Sequence, residues 1–254
     1  MKNTKNVTVL IQARTNSRRF PNKVLTKIEN KPLIWHVINR VKTVKGVNQI
    51  ILVTTRKQED KILLDIAKKC GILSFTGTTN DVLNRFYKCA LHYSADPIIR
   101  ITGDNPLIDP KHIEKFLKFF IEHDYDYVSN TIIPTYPDGL DVEIFSFKAL
   151  KKNFENATLK SEREHVTPYI INHKKKFKLY NFSNKENLSH IRLTVDEKND
   201  LKLIRKIYSL MKPQKIFYTA DILKLVSKNP KLLEINKGII RNEGYLYSIS
   251  RDKK

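Results

Sequence analysis

Val7-Thr-Val-Leu-Ile-Gln12 runs without a break into Ala13-Arg14-Thr-Asn-Ser17-Arg18-Arg19-Phe-Pro21-Asn-Lys23. The first stretch is apolar and β-branched, the pattern of a buried strand. The second carries four cations and no glycine. A buried strand that ends in a cationic loop fits an open α/β sheet, where ligands bind outside the carboxyl ends of the strands. Backbone amides, the Ser17 hydroxyl and several cations in such a loop suit a polyphosphate. The loop is neither a GxxxxGK[ST] nor a GxGxxG sequence, but Asn16 and Asn22 take up positive φ more readily than most residues. The plain alternative is a basic surface loop.

Outward from this stretch, strand and helix signals alternate. Lys31-Pro32 opens a helix with Leu33, Ile34, Val37, Ile38 and Val41 on one face. Gln49–Thr54 reads as a strand, and Gln58–Cys70 as an amphipathic helix stopped by Gly71. A helix over 80–92, a strand over 97–102, a helix capped by Asp109-Pro110 and a strand over 125–129 follow. This alternation predicts parallel strands with helices on both faces. Further on, 141–145, 177–181 and 191–195 read as strands. Residues 161–173 read as helical, kinked at Pro168 or restarted there with Thr167 as cap. Helices are expected over 197–210 and 220–233. The expectation is one α/β domain over 1–234, with an irregular segment, 235–254, packing on the domain or on a partner subunit. Tyr245, Tyr247 and Ile249 alternate there, which points to a homodimer.

The chain of 254 residues has a formal net charge of +21 and 41% hydrophobic residues. That apolar content supports a sizeable core and excludes a wholly disordered chain. No apolar run reaches the length of a membrane-spanning helix. Met1-Lys-Asn-Thr-Lys5 lacks the apolar core of a secretory leader. Two cysteines, Cys70 and Cys89, exclude a disulfide scaffold and fit a reducing cytoplasm, and they read as small buried hydrophobes. The basic excess is spread along both halves with no basic tail, and most of it is lysine. It therefore points to a solvated basic surface with anionic small-molecule substrates, ahead of a nucleic-acid partner.

Two more loops carry chemistry. Arg100-Ile-Thr-Gly103-Asp104 puts a carboxylate on a glycine turn just after an apolar strand, a good place for a hard divalent cation. Asp109 reads instead as a helix cap. Arg192-Leu-Thr-Val-Asp196 repeats the strand-end carboxylate, although Asp196 could simply cap the following helix. Two such aspartates could share Mg²⁺ if their strands were neighbours. Asp141 and Glu143, two apart in a strand pattern, are expected on one face. Ser161-Glu-Arg-Glu164 reads as a capping box, which makes Glu164 structural. Trp35 lies among apolar neighbours and reads as core.

Several blocks recur in an order that carries a resemblance: Gln12-Ala-Arg14 through Lys23-Val-Leu25, Asn80-Asp81 through Arg85, Arg100 through Asp109, Tyr127 through Asn130, Tyr136 through Glu143, Glu162 through Tyr169, and Arg192 through Asp196. Over roughly 7–212 the chain resembles the spore-coat polysaccharide biosynthesis nucleotidyltransferases, which are related to the cytidylyltransferases that make CMP-Kdo and CMP-sialic acids. The resemblance implies a Rossmann-like nucleotide-diphospho-sugar transferase fold, with a mixed, mostly parallel sheet. It implies Mg²⁺-dependent transfer of a nucleoside monophosphate from an NTP, CTP by preference, to a sugar acid, sugar phosphate or phosphonate, with pyrophosphate released. Arg14, Arg19 and Lys23 would be the catalytic cations on the triphosphate. Gln12, Ala13, Ser17, Thr54, Asp81, Arg85 and Thr102 would complete the nucleotide site. Asp104 and Asp196 would ligate the metal, and Asp138, Asp141, Glu143, Arg163 and His165 would line the acceptor pocket.

Three positions depart from the family pattern: Asn16 and Asn22 stand where glycines are usual, and Leu193 where tryptophan is usual. Phosphoryl transfer needs positioning and charge neutralisation more than a covalent nucleophile, so these residue types suffice. A nucleotide-sugar-dependent glycosyltransferase is the alternative enzyme, and it would release no pyrophosphate. A basic nucleic-acid-binding protein is the alternative of another class.

Overall fold

The computed structural model describes residues 6–212 and 216–252; Met1–Lys5, read above for a leader, lies outside them. Strand β1 (Thr8–Gln12) leads through the cationic loop to a 3-10 turn at Lys23–Leu25. A small hairpin of β2 (Lys27–Ile28) and β3 (Lys31–Pro32) follows. Then come α1 (Leu33–Val41), β4 (Gln49–Thr55), α2 (Lys61–Lys69), β5 (Leu73–Gly77), α3 (Val82–His92), β6 (Ile98–Thr102) and α4 (Pro110–Glu122). The second half holds β7 (Tyr127–Ser129), β8 (Glu143–Phe145), α5 (Phe147–Asn156), α6 (Lys160–His165), α7 (Pro168–Asn172) and β9 (Leu179–Asn181). Helices α8 (Lys198–Met211), α9 (Thr219–Lys228) and α10 (Glu243–Ser250) close the chain.

Seven strands form one sheet in the order β5-β4-β1-β6-β8-β7-β9. Only β8 runs antiparallel to its neighbours. The period-2 alternation sends successive β1 residues to opposite layers. Val9 and Ile11 pack with α1, α2, α4 and α8, while Leu10 packs with α3, α5 and α7. The sheet is thus covered on both faces, as a mostly parallel sheet requires. The chain leaves β1 for β4 and β5 on one side and returns to β6 on the other. The resulting switch point opens a crevice at the carboxyl ends of β1 and β6.

Several local expectations change. Strand β5, between Gly71 and Gly77, escapes the sequence reading because it is short and half-exposed. The stretch 191–195 is not a strand of the sheet; its one bridge, Arg192 to Asp138, pairs it with a residue outside the named strands. It is held instead by Leu193 N–H to Asp138 O (2.7 Å) and Val195 N–H to Asp104 O (2.9 Å). Gly139 permits that approach: at φ +98° a Cβ there would sit 2.4 Å from the Thr194 nitrogen. The predicted strand 141–145 shrinks to β8, and Asp141 lies outside it. Residues 160–172 restart at Thr167 after Val166, whose φ of 73° breaks the helix. The helix expected over 220–233 ends at Lys228 and continues as a 3-10 run to Asn236. The segment read as irregular carries α10, which packs against α6. Among the described residues no helix is long and apolar enough to cross a membrane.

Candidate active site

The loop after β1 is shaped by groups it does not contain. Asp60, buried just before α2, accepts hydrogen bonds from the Thr15 amide and hydroxyl, both at 2.7 Å. Its other oxygen takes the Thr55 hydroxyl at the end of β4. The loop closes with the Asn22 amide on Thr15 O at 2.8 Å, and Asn22 itself is left-handed at φ 60°. Asn22 therefore adopts a left-handed conformation that glycine takes most readily; Asn16 does not adopt positive φ. Gly103, on the turn after β6, must be glycine for packing: a Cβ there would lie 2.9 Å from Gln12 O and from Ala13 Cβ. The two loops are thereby pressed together, and Lys23 and Asp104 face each other.

Lys23 Nζ lies 2.6 Å from Asp104 Oδ2 and 2.7 Å from Asp196 Oδ1. The two strand-end aspartates, 92 positions apart in sequence, thus meet at one ammonium. Burial alone would lower the Lys23 pKa, but attraction by Asp104 and Asp196 outweighs it and the group is held above its ordinary value. Burial likewise pushes Asp196 up, yet Lys23, Arg19 and Arg192 together bring it down to about 2. Asp196 Oδ2 accepts from Arg192 Nη2 (2.9 Å) and forms an ion pair with Arg19 Nη2 (2.8 Å). Asp196 does not cap α8. That role falls to Asp200, fully buried, whose Oδ2 takes the Asp196 and Glu197 amides at 2.9 and 3.0 Å. Asp200 also accepts from Arg192 Nε (3.0 Å) and from Asn236 Nδ2 (2.8 Å). A buried network of Asp138, Arg192, Asp200 and Asn236 thus aims Asp196 at the crevice.

Around these groups is a cavity of about 840 Å³. Gln12, Ala13, Arg14, Ser17, Arg19, Lys23, Asp81, Thr102, Asp104, Arg163, His165 and Asp196 line it, all of them expected from the sequence. Its wall holds eight basic and four acidic side chains, an excess that favours a polyanion. Sequence reasoning missed Arg18, Asn80, Arg100, Lys160 and Glu164, and also Gly244, Tyr247, Ser248 and Arg251 from the C-terminal segment. Arg100, alternating inward on β6, carried a readable signal. For the α10 residues the alternation at Tyr245, Tyr247 and Ile249 suggested packing but not a place in the site, which depends on how the C-terminus docks.

That docking is specific. Arg19 Nη1 bonds Glu243 Oε2 at 2.6 Å, Arg18 stacks over the Tyr247 ring at 3.9 Å, and Ser248 donates to Glu164 Oε2 at 2.9 Å. His165 Nε2 lies 3.0 Å from Ser248 Oγ, and burial, aided by Arg100 and Arg14, pulls its pKa down to about 4. Glu164 is therefore a wall residue rather than a cap. The capping carboxylate is Glu162, which takes the Thr158 and Leu159 amides at 3.1 and 3.2 Å.

Five expected site residues stand apart from the cavity. Thr54 is fully buried within β4. Arg85 is buried behind the wall, with Nη1 on Thr78 O at 3.0 Å. Asp138 pairs with Arg192 at 2.6 Å. Asp141 pairs with Arg241 Nη2 at 2.7 Å, and burial with nearby Asp138 and Glu143 pushes it up to about 7. Glu143 takes Arg100, the Tyr127 hydroxyl (2.8 Å) and Thr167. It is a floor strut that orients Arg100, and it does not share a strand face with Asp141. Asp109 caps α4 as expected, through the Lys111 amide at 2.8 Å. Cys70 and Cys89 are free and buried.

A sequence profile described as Cytidylyltransferase matches residues 8–239. The uncharacterized protein MJ1063 of Methanocaldococcus jannaschii is 38% identical over 241 residues, covering 93% of this chain and 96% of that protein. The spore coat polysaccharide biosynthesis protein SpsF of Bacillus subtilis is 29% identical, covering 87% and 94%. A cytidylyltransferase structure from Leptospira borgpetersenii superposes with a TM-score of 0.88 at 31% identity, covering 93% of this chain and all of that one.

Proposed function

From the premise that the chain belongs to the cytidylyltransferase family, we propose that it transfers a cytidylyl group from CTP to an anionic sugar acceptor for surface-polysaccharide synthesis, with Arg14, Arg19, Lys23, Asp104 and Asp196 as the reaction's machinery. The observation that carries this assignment is the meeting of Lys23 with both aspartates at the carboxyl ends of β1 and β6, inside a cavity large enough for a nucleotide and a sugar.

Cytidylyltransferases of this family generally use a divalent metal. The donor set suits Mg²⁺: two hard carboxylates on separate loops that meet at the cavity. Asp104 and Asp196 would hold Mg²⁺, which would supply charge neutralisation at the α-phosphate. The chain's own cations do the rest. Arg14 and Arg19 grip the β- and γ-phosphates, and Lys23 reaches the oxygen that leaves with pyrophosphate. The Arg14 and Asn16 amides, which take no partner among the described residues, add donors at no reorganisation cost. Arg163, braced by Asp81 at 2.7 Å, and neutral His165 face the other end of the cavity and orient the acceptor for in-line attack. Helix α10 covers that end and limits water.

The test is pyrophosphate release with Mg²⁺, crossing CTP, GTP, UTP and ATP with sugar acids, sugar 1-phosphates and small phosphonates. Release with CTP and one acceptor, abolished by EDTA, is the expected result. Transfer from a nucleotide sugar without pyrophosphate would replace this reading with a glycosyltransferase.

A further inference from the structure

Every oxygen of Asp196 is already engaged. Oδ1 holds Lys23, and Oδ2 holds Arg19 and Arg192. Asp104 is different: among the described residues its Oδ1 takes no hydrogen bond, and the side chain is 24% exposed toward the cavity. A divalent cation can therefore reach Asp104 directly, but it reaches Asp196 only by displacing a resident cation. Arg192 cannot yield, because Asp138 and Asp200 hold its other nitrogens and only 7% of it is exposed. Arg19 touches only Oδ2, so its departure would not free Oδ1. Lys23 is the one that can move. Its two partners are the two aspartates themselves, its stem is flexible, and its head opens on the cavity.

Resting on the proposed metal site, we propose that the Lys23 ammonium and the metal compete for one position between Asp104 and Asp196, so that Lys23 is a stand-in cation released onto the triphosphate as the metal binds. In the resting chain one ammonium keeps two carboxylates together without mutual repulsion, which preserves the pocket for the metal. The same ammonium lowers the affinity for metal alone. When metal arrives with nucleotide, the displaced charge finds phosphate oxygens within reach of its stem. Metal and nucleotide then bind with positive coupling, and Lys23 carries that coupling.

Mn²⁺ alone is the probe, with the free ion followed by its electron paramagnetic resonance signal. Wild-type chain is expected to bind it weakly. Lys23→Met should bind Mn²⁺ at least about tenfold more tightly, because the competing charge is gone, while losing affinity for CTP. Adding Asp104→Asn to Lys23→Met should erase the gain. Equal or weaker Mn²⁺ binding in Lys23→Met, with Asp104→Asn still lowering it, would refute the competition and leave the metal site standing. Mn²⁺ binding indifferent to Asp104 in both backgrounds would remove the metal-site reading itself. Should Lys23→Met fold poorly, wild-type chain answers through the Lys23 ¹⁵Nζ resonance. Mg²⁺ with a non-hydrolysable CTP analogue should shift it; an unmoved resonance in a nucleotide-saturated sample contradicts the exchange.

Discussion

Replacing Asp200 by Asn should weaken the fold and the site together. All five contacts to this buried carboxylate come from donors: Arg192 twice, Asn236, and the Asp196 and Glu197 amides, at 2.8–3.1 Å. An amide keeps one acceptor oxygen and puts an NH₂ group where the other stood. In its better orientation it turns an oxygen that held Arg192 Nε and Asn236 into a donor facing donors. Two buried bonds to a charged group are lost, each contributing about 1.5–3 kcal/mol. Arg192 keeps Asp138 and Asp196, so the net cost falls at about 3–5 kcal/mol, the range for removing one partner of a buried ion pair. At about 2–4 °C per kcal/mol for a chain of this size, the melting temperature should drop by at least about 6 °C. Calorimetry or circular dichroism reads this directly. Turnover measured well below the melting point should fall as well, because Asp196 hangs from the amide that Asp200 holds. A shift under about 2 °C would refute the claim that this network carries load.

Other expectations follow from the same geometry. Asp104→Asn should cut pyrophosphate release roughly a hundredfold or more, yet melt close to wild type, because Asp104 is partly exposed and Lys23 keeps Asp196; near-normal Mg²⁺-dependent turnover would argue against its role. Gly139→Ala should cost at least about 2 kcal/mol in urea unfolding, since its Cβ meets the Leu193–Thr194 backbone at a left-handed φ. His165 and Asp141 should oppose each other in acid. His165 drops from 6.5 to about 4 on folding, so its contribution is lost as pH falls from 6.5 toward 4. Asp141 rises from 3.8 to about 7, so its protonation stabilises the fold as pH falls from 7 toward 3.8. His165→Gln should therefore gain stability relative to wild type between pH 7 and 5, and Asp141→Asn should make wild type's acid profile steeper; parallel profiles for all three chains would overturn both assignments.

The sequence by itself determined what depends on local pattern. Alternating apolar residues in β1, β4 and β6, amphipathic helices between them, and the cap at Asp109 place the parallel half of the sheet, because burial of a period-2 or period-3.6 face is decided within one element. The cationic loop and the Gly103-Asp104 turn were legible for the same reason: each follows its strand at once. The tertiary structure decided everything that needs two distant segments. Whether Asp196 caps a helix or faces Asp104 turned on Asp200 taking the amides instead. Asp138, Asp141 and Glu143 looked like pocket acids, but Arg192, Arg241 and Arg100 claim them, because a carboxylate removed from water must find its cation wherever the packing brings one. The C-terminal segment showed no strong periodicity, and its helix forms where Glu243, Tyr247 and Ser248 meet Arg19, Arg18 and Glu164. Those partners lie more than 80 positions away in the chain, so no local pattern could announce them.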